Sequence, residues 1–277
     1  MKIKINNKPS IKKIHFSCDE PIHAKLEEFP LTRDFLNQYN TTAFIGTQGS
    51  GKTSLAINFL MSFYKKTFHF IYVFMPQTSR NSLHKNIFDK HLPPDQIYEE
   101  LNEETIDDLY EKLKTNSING HKSLVVYDDV QRALKDVSVL KSLKNIIANQ
   151  RHLKTVNLIL LQNFFALDKS LRELINNIIL FKLGKSQNEK VFNEIIETHR
   201  DRFDDIRKLV FDTQHNWLFV NVKSQRIFKM FDEIICDDNE ENEDKEIKIN
   251  QRKKIKVKIY VIIIYKNKPW QQDSFEN

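Results

Sequence analysis

Residues Gly46-Thr47-Gln48-Gly49-Ser50-Gly51-Lys52-Thr53 fill the pattern G-x-x-x-x-G-K-[ST] without a mismatch, and no other stretch limits so strongly what this chain can fold into. The pattern works only with a strand before it and a helix behind it. Thr42 to Ile45 reads as a short buried strand, and Ser54 to Lys66 carries Leu55, Phe59, Leu60 and Phe63 at helical spacing. Glycines at 46, 49 and 51 let the backbone curl so that successive N–H groups turn inward, and the helix N-terminus adds its partial positive charge to the same spot. A triphosphate fits such a loop. Lys52 is expected to reach the β- and γ-phosphates and the Thr53 hydroxyl to be one ligand of a Mg²⁺ ion, while Ser54 closes the nucleotide-binding segment. The competing reading, a glycine-rich turn that binds nothing, does not account for the agreement of the motif with both flanks.

A second local pattern supplies acids. Leu124-Val125-Val126-Tyr127 is an apolar run that ends in Asp128-Asp129, the form of a Walker B strand. In an open parallel sheet the C-terminal edge is where the nucleotide lies. Asp128 is therefore expected to hold the metal, and Asp129 to orient and deprotonate the attacking water. The second acid argues for hydrolysis of ATP: kinases of small molecules need no water-activating carboxylate, and the N-K-x-D signature that selects guanine does not occur here.

The next apolar run, Val156 to Leu161, ends in Gln162-Asn163. With this strand inserted beside the loop strand, Gln162 lies within reach of the γ-phosphate and is the expected sensor; a glutamine that merely ends a strand is the alternative. Ahead of the same run stands Asn149-Gln150-Arg151-His152. Arg151 is too far along the sheet to serve its own nucleotide, yet well placed to enter a neighbour's site in a ring. It is read as a trans arginine finger, against a surface arginine paired with a nearby acid. His152 has no histidine partner at metal-ligand spacing and is read as packing or DNA-facing.

Strands and helices alternate from Tyr39 onward. Segments at 68–75, 123–127, 156–161 and 178–182 are expected strands; 104–114, 137–148, 171–177 and 188–198 are expected helices. That order predicts an α/β fold, a P-loop NTPase of the RecA-like class with a mainly parallel central sheet flanked by helices. Trp217 to Val222 and Arg226 to Phe231 add a C-terminal β-hairpin. The expected divisions are a strand or hairpin lead-in (1–38), an ATPase domain (39–235), an acidic linker (236–247) and a basic, apolar tail (248–277). The net charge is +6, and the tail from Asp237 holds nine basic and nine acidic residues, so the whole excess precedes it. This favours a polyanionic partner. Cys18 and Cys236 are too few for a disulfide framework, which suits a reducing compartment. The longest apolar run, Ile259 to Tyr265, is far below the roughly 18 residues of a spanning helix, so no membrane partner is expected.

Taken together, the loop, the Asp128-Asp129 strand end, Arg151-His152 before an apolar strand, Gln162, and the later Leu171-Arg172 and Asn176 resemble the poxvirus-type genome-packaging ATPases of the FtsK-HerA superfamily. The resemblance spans roughly Tyr39 to Ile235. It implies an oligomeric motor, a homo-oligomeric ring, that hydrolyses ATP to move double-stranded DNA into a preformed capsid. The place of action it implies is the host cytoplasm or virus factory, and a capsid component is a further partner. The alternative is a AAA-type loader or transposition helper, in which ATP drives assembly of DNA-bound partners. A AAA protein would append a helical lid with an arginine after the fifth strand, whereas here the chain from Leu209 onward is expected to turn to strand. No nuclease segment is recognisable, and the basic tail has no counterpart in the family pattern.

Overall fold

Runs that are apolar on both faces become the middle of one sheet. The computed structural model describes residues 39–60, 67–81, 83, 87–197, 200–235 and 248–249. Strands β1 (Thr41–Ile45), β2 (Phe70–Phe74), β3 (Ile97–Tyr98), β4 (Ser123–Asp128), β5 (Thr155–Leu161) and β6 (Asn177–Phe181) lie in the order β6-β1-β5-β4-β2-β3. All are parallel to their neighbours. β1, β4, β5 and β6 are buried along their whole length. Such strands read as continuous apolar runs because both sheet faces are covered.

Alternate residues of the strands feed two cores. On one face Ala43, Ile45, Val125, Tyr127, Ile159, Leu161 and Leu180 pack under four helices: α4 (Glu103–Ile118), α5 (Val137–Ala148), α7 (Lys185–Ile195) and α8 (Phe203–Val210). On the other, Phe44, Val126, Leu158, Leu160 and Phe181 meet Ala56 and Phe59 of α1 (Lys52–Phe59) and, after the short α2 (Gln77–Asn81), Phe88 of α3 (Ile87–His91). Helix starts follow local chemistry. Asn102 and Thr105 form a reciprocal capping box on α4, and the Asp136 carboxylate accepts from the Ser138 and Val139 amides at the start of α5.

The antiparallel part is larger than a hairpin. β7 (Trp217–Asn221) pairs with β6, β8 (Arg226–Lys229) with β7, β9 (Asp232–Ile235) with β8, and the short β10 (Lys248–Ile249) with β9. Met230, at φ 55°, turns the chain back directly from β8 into β9. Two helix expectations also change. The helix expected at 171–177 shrinks to α6 (Lys169–Arg172), because Asn176 and Asn177 are taken up by the sheet edge, where the Asn176 side-chain carbonyl oxygen accepts from the Thr41 amide at 2.8 Å. Residues 203–210 form α8, with Phe203, Ile206 and Val210 buried, so the turn to strand expected from Leu209 comes only at Trp217: Val210 closes the helix's apolar face against the core. The lead-in 1–38, both cysteines, the acidic run 237–246 and the tail beyond 249 lie outside the described residues.

Candidate functional site: a phosphate loop beside two polar strand tips

Register puts three strand tips side by side. Ile45 is level with Leu161, and Asp128 with Leu160. Gly46 N–H donates to the Leu161 carbonyl at 3.1 Å, so the loop begins next to Gln162, and Asp129 follows on the other side of β5. The strand between loop strand and acid strand is therefore present, as the sequence predicts.

Within the loop, Gly49 (φ 73°) and Gly51 (φ 100°) occupy the left-handed region that side chains disfavour. Gly51 is the N-cap of α1 and offers no side-chain cap. The first-turn amides are thus left for an external anion. Gly46 is required for another reason: a Cβ there would lie 2.8 Å from Phe181 Cβ on β6 and 2.5 Å from Ser50 Oγ. The Ser50 hydroxyl is buried with no hydrogen-bond partner in the structure. Thr47, Gln48 and Ser54 are exposed on the rim.

Lys52 Nζ donates to the carbonyls of Gly46 (2.6 Å) and Thr47 (2.8 Å), folding its ammonium into the mouth of the loop. Burial lowers its pKa, while the charges of Asp128 and Asp129 oppose the shift. Thr53 Oγ1 donates to Asp128 Oδ2 at 2.9 Å. Burial pushes the Asp128 carboxyl up, against the Thr53 hydrogen bond and the Lys52 charge. Both ionic partners are thus held toward neutrality by desolvation. An anion beside Lys52 and a cation beside Asp128 relieve that cost. The hydroxyl–carboxylate pair fits a hard, oxygen-liganded divalent ion.

Asp129 is exposed, and its φ of 57° ends the extended backbone of β4 at once. It shares with Gln162 a cleft of about 630 Å³ that also takes in Pro76 after β2 and Arg132 and Lys135 after β4. The loop after Gln162 is pinned from below: the Arg172 guanidinium donates to the Leu167 carbonyl and to Glu194, and stacks on Phe164 and Phe165.

Arg151 stands at the other end of β5, exposed, roughly 20 Å from Gln162 at ~3.3 Å per strand residue. It has no ion pair among the described residues, so the surface-pairing alternative finds no acid. Its loop is nonetheless fixed. Buried Gln150 accepts from Thr41 Oγ1 (2.8 Å) and donates to Asn176 Oδ1 (2.9 Å), leaving Arg151 and His152 pointing outward. His215 is the residue that local reasoning missed. From the turn before β7, its Nδ1 lies 3.3 Å from the Ser50 carbonyl. The turn is held by Asp212, which accepts from Asn216 (2.6 Å) and Lys229 (2.6 Å). Nothing near His215 in sequence signals that contact.

This sheet order, with a complete phosphate loop on one tip and acid and amide on the next two, defines a P-loop ATPase fold with the extra strand beside the loop strand. The sequence profile described as Poxvirus A32 protein matches residues 28–264, and the chain belongs to that family. Among solved structures, the chain is similar to the DNA-packaging ATPase B204 of Sulfolobus Turreted Icosahedral Virus, at 17% identity and a TM-score of 0.53, covering 68% of this chain and 95% of that one. It is also similar to the genome packaging NTPase B204 of Sulfolobus turreted icosahedral virus 2 in complex with AMPPCP, at 15% identity and a TM-score of 0.51, over 69% and 97% of the two chains. Those likenesses are of fold. No curated protein matches the chain. No helix among the described residues is long and apolar enough to cross a membrane.

Proposed function

We propose that this chain is an ATP-hydrolysing motor that moves double-stranded DNA, packaging a viral genome into a preformed capsid. The observation that carries the reading is the placement of Asp129 and Gln162 in one cleft, on the strand tips beside the loop. Family membership supports the packaging role. α7 and α8 pack into the main core and β7 returns beside β6, so the helical lid expected of a AAA-type loader has no equivalent among the described residues.

In this reading Lys52 and the loop amides bind the β- and γ-phosphates of ATP. Thr53 and Asp128 hold Mg²⁺, which supplies charge neutralisation on the phosphates. Asp129 orients the attacking water and accepts its proton. Gln162 senses the γ-phosphate. Arg151, remote from its own loop, serves a neighbouring subunit in a homo-oligomeric ring. The work takes place in the host cytoplasm or virus factory, with a capsid component as docking partner.

The test is ATPase rate with and without unrelated duplexes, together with particle size in ATP. A motor shows DNA-stimulated turnover and assembles. Monomeric particles with a rate indifferent to DNA refute the reading.

A further inference from the structure

The segment after β4 that begins with Asp129 also carries two cations, Arg132 and Lys135, that nothing among the described residues engages. After β4 the chain runs Asp129-Val130-Gln131-Arg132 and on to Lys135, and after β5 it begins at Gln162. Arg132 and Lys135 are exposed, line the cleft with Asp129 and Gln162, and have no hydrogen bond or ion pair from their side chains among the described residues. Their basic neighbours are committed elsewhere: Lys144 to Asp168 at 2.7 Å, and Arg172 to Glu194. The nearby acids are committed too, Asp136 to the α5 amides and Asp168 to Lys144, the Leu171 amide and the Ser170 hydroxyl. Of the lining residues, Asp129 alone is acidic, and two, Arg132 and Lys135, are basic. A concave site of one net sign concentrates its field on an anion of the other.

We propose that this cleft seats a backbone phosphate of duplex DNA, clamped by Arg132 and Lys135 next to the water-orienting carboxylate. The inference rests on the DNA-motor reading and gives that reading a point of contact. Paired basic side chains suit a phosphodiester and read no sequence. Arg132 lies three residues from Asp129, whose left-handed backbone (φ 57°) depends on the conformation of the same loop. Drawing Arg132 onto a phosphate therefore acts on the segment that sets the Asp129 carboxylate, and DNA occupancy becomes coupled to turnover. The other basic surface, with Lys122, Arg151, His152 and Lys154 at the opposite ends of β4 and β5, is roughly 20 Å away. A phosphate there touches neither catalytic loop.

The experiment is a salt series of duplex binding by the full chain, read with ATP turnover in the presence and absence of DNA. Every phosphate that the protein no longer neutralises takes about 0.9 off the slope of log K against log salt. Arg132→Ala/Lys135→Ala, which gives up the one clamped phosphate, is expected to flatten the slope by about 0.9 and to remove the DNA-dependent rise in turnover. Arg132→Lys/Lys135→Arg, which keeps the charges, retains both; a slope that flattens there as well overturns an electrostatic clamp. An unchanged slope in the double alanine variant overturns the site, as does a slope that flattens in Lys122→Ala/Lys154→Ala instead, which would place the duplex on the opposite edge. DNA-free turnover falling as far as in Asp129→Asn would assign the cations to ATP and overturn the clamp. A wild-type chain that binds no duplex at any salt removes the motor reading and the clamp with it. A wild-type chain that binds, beside an unchanged variant, removes the clamp alone.

Discussion

Gly46→Ala and Gly49→Ala make the same chemical change in one loop, and the structure gives them different costs. A Cβ on Gly46 would stand 2.5 Å from Ser50 Oγ and 2.8 Å from Phe181 Cβ. The serine hydroxyl can rotate away. Phe181 Cβ cannot, because it is tied to the backbone of β6, which runs hydrogen-bonded beside β1 up to this point. Loop or strand must therefore shift, and overpacking of this kind costs about 1–3 kcal/mol. At Gly49 nothing lies within 4 Å. Alanine there meets only the left-handed backbone at φ 73°, about 1–2 kcal/mol, partly offset by about 0.4–1 kcal/mol of entropy removed from the unfolded chain. The same entropy term offsets Gly46→Ala, so at about 2–4 °C per kcal/mol for a domain of this size, Gly46→Ala should melt up to roughly 10 °C lower and Gly49→Ala up to roughly 6 °C lower. Function should separate them further. The Gly46 carbonyl accepts from Lys52 Nζ at 2.6 Å, so displacing the loop start displaces the phosphate-binding ammonium, and ATP affinity should fall about tenfold, or about 1.4 kcal/mol. Adding Ser50→Ala to Gly46→Ala should recover only part of the loss, since the Phe181 contact remains. The assays are thermal unfolding without nucleotide and a nucleotide titration. Wild-type melting and affinity in Gly46→Ala, or a larger loss in Gly49→Ala, would refute the steric argument.

Lys52→Ala removes the cation in the loop mouth and should cut ATP turnover by at least about 10³, or about 4 kcal/mol, with the fold kept; turnover at the wild-type rate in a clean preparation would undo the loop assignment. Asp129→Asn should retain ATP and stop hydrolysis, whereas Asp128→Asn should weaken metal-dependent binding as well; equal binding losses in a titration would mean the two roles are wrongly divided. Because burial raises the Asp128 pKa, its contribution without nucleotide is whole below the ordinary carboxylate range and is lost as pH rises through the folded value. Nucleotide-free Asp128→Asn should therefore melt above wild type at neutral pH, with the gap closing on acidification; a gap constant with pH contradicts this. Arg151→Ala should lose about 10³ to 10⁵ in turnover with ATP binding kept, and mixing it with Lys52→Ala should restore activity at interfaces that pair an intact loop with an intact arginine. No rescue, after labelled chains have been shown to exchange and subunits to fire independently, would remove Arg151 from the trans role.

The features legible in the sequence are those whose physics is local. Gly46 to Thr53 declare themselves because curled backbone, helix N-terminus and lysine lie within one turn of chain. Asp128-Asp129 and Gln162 declare themselves because a strand buried on both faces is an apolar run, and the polar residues that end it mark its tip. Asp136 caps α5 at the start that the apolar spacing predicts. The element limits that moved have a common cause: Asn176 is drawn from a helical pattern into the sheet edge by the Thr41 amide and Gln150, partners 135 and 26 residues away.

Tertiary structure decided what depends on which strands lie side by side. That β5 stands between β1 and β4, with Ile45 level with Leu161 and Asp128 with Leu160, brings loop, amide and acids to one edge. It also sends Arg151 to the opposite edge, fixed by Gln150. His215 reaches the Ser50 carbonyl across 165 residues of chain, and Gly46 is held to glycine by Phe181 as well as by its own loop. Arg132 and Lys135 read in sequence as ordinary surface cations; only the fold shows that the nearby acids are engaged elsewhere and that the pair flanks Asp129. Backbone preference, capping and periodicity act over a few residues and leave their mark in the letters, whereas strand order and register are fixed by hydrogen bonds and packing between distant segments, which no short stretch of sequence encodes.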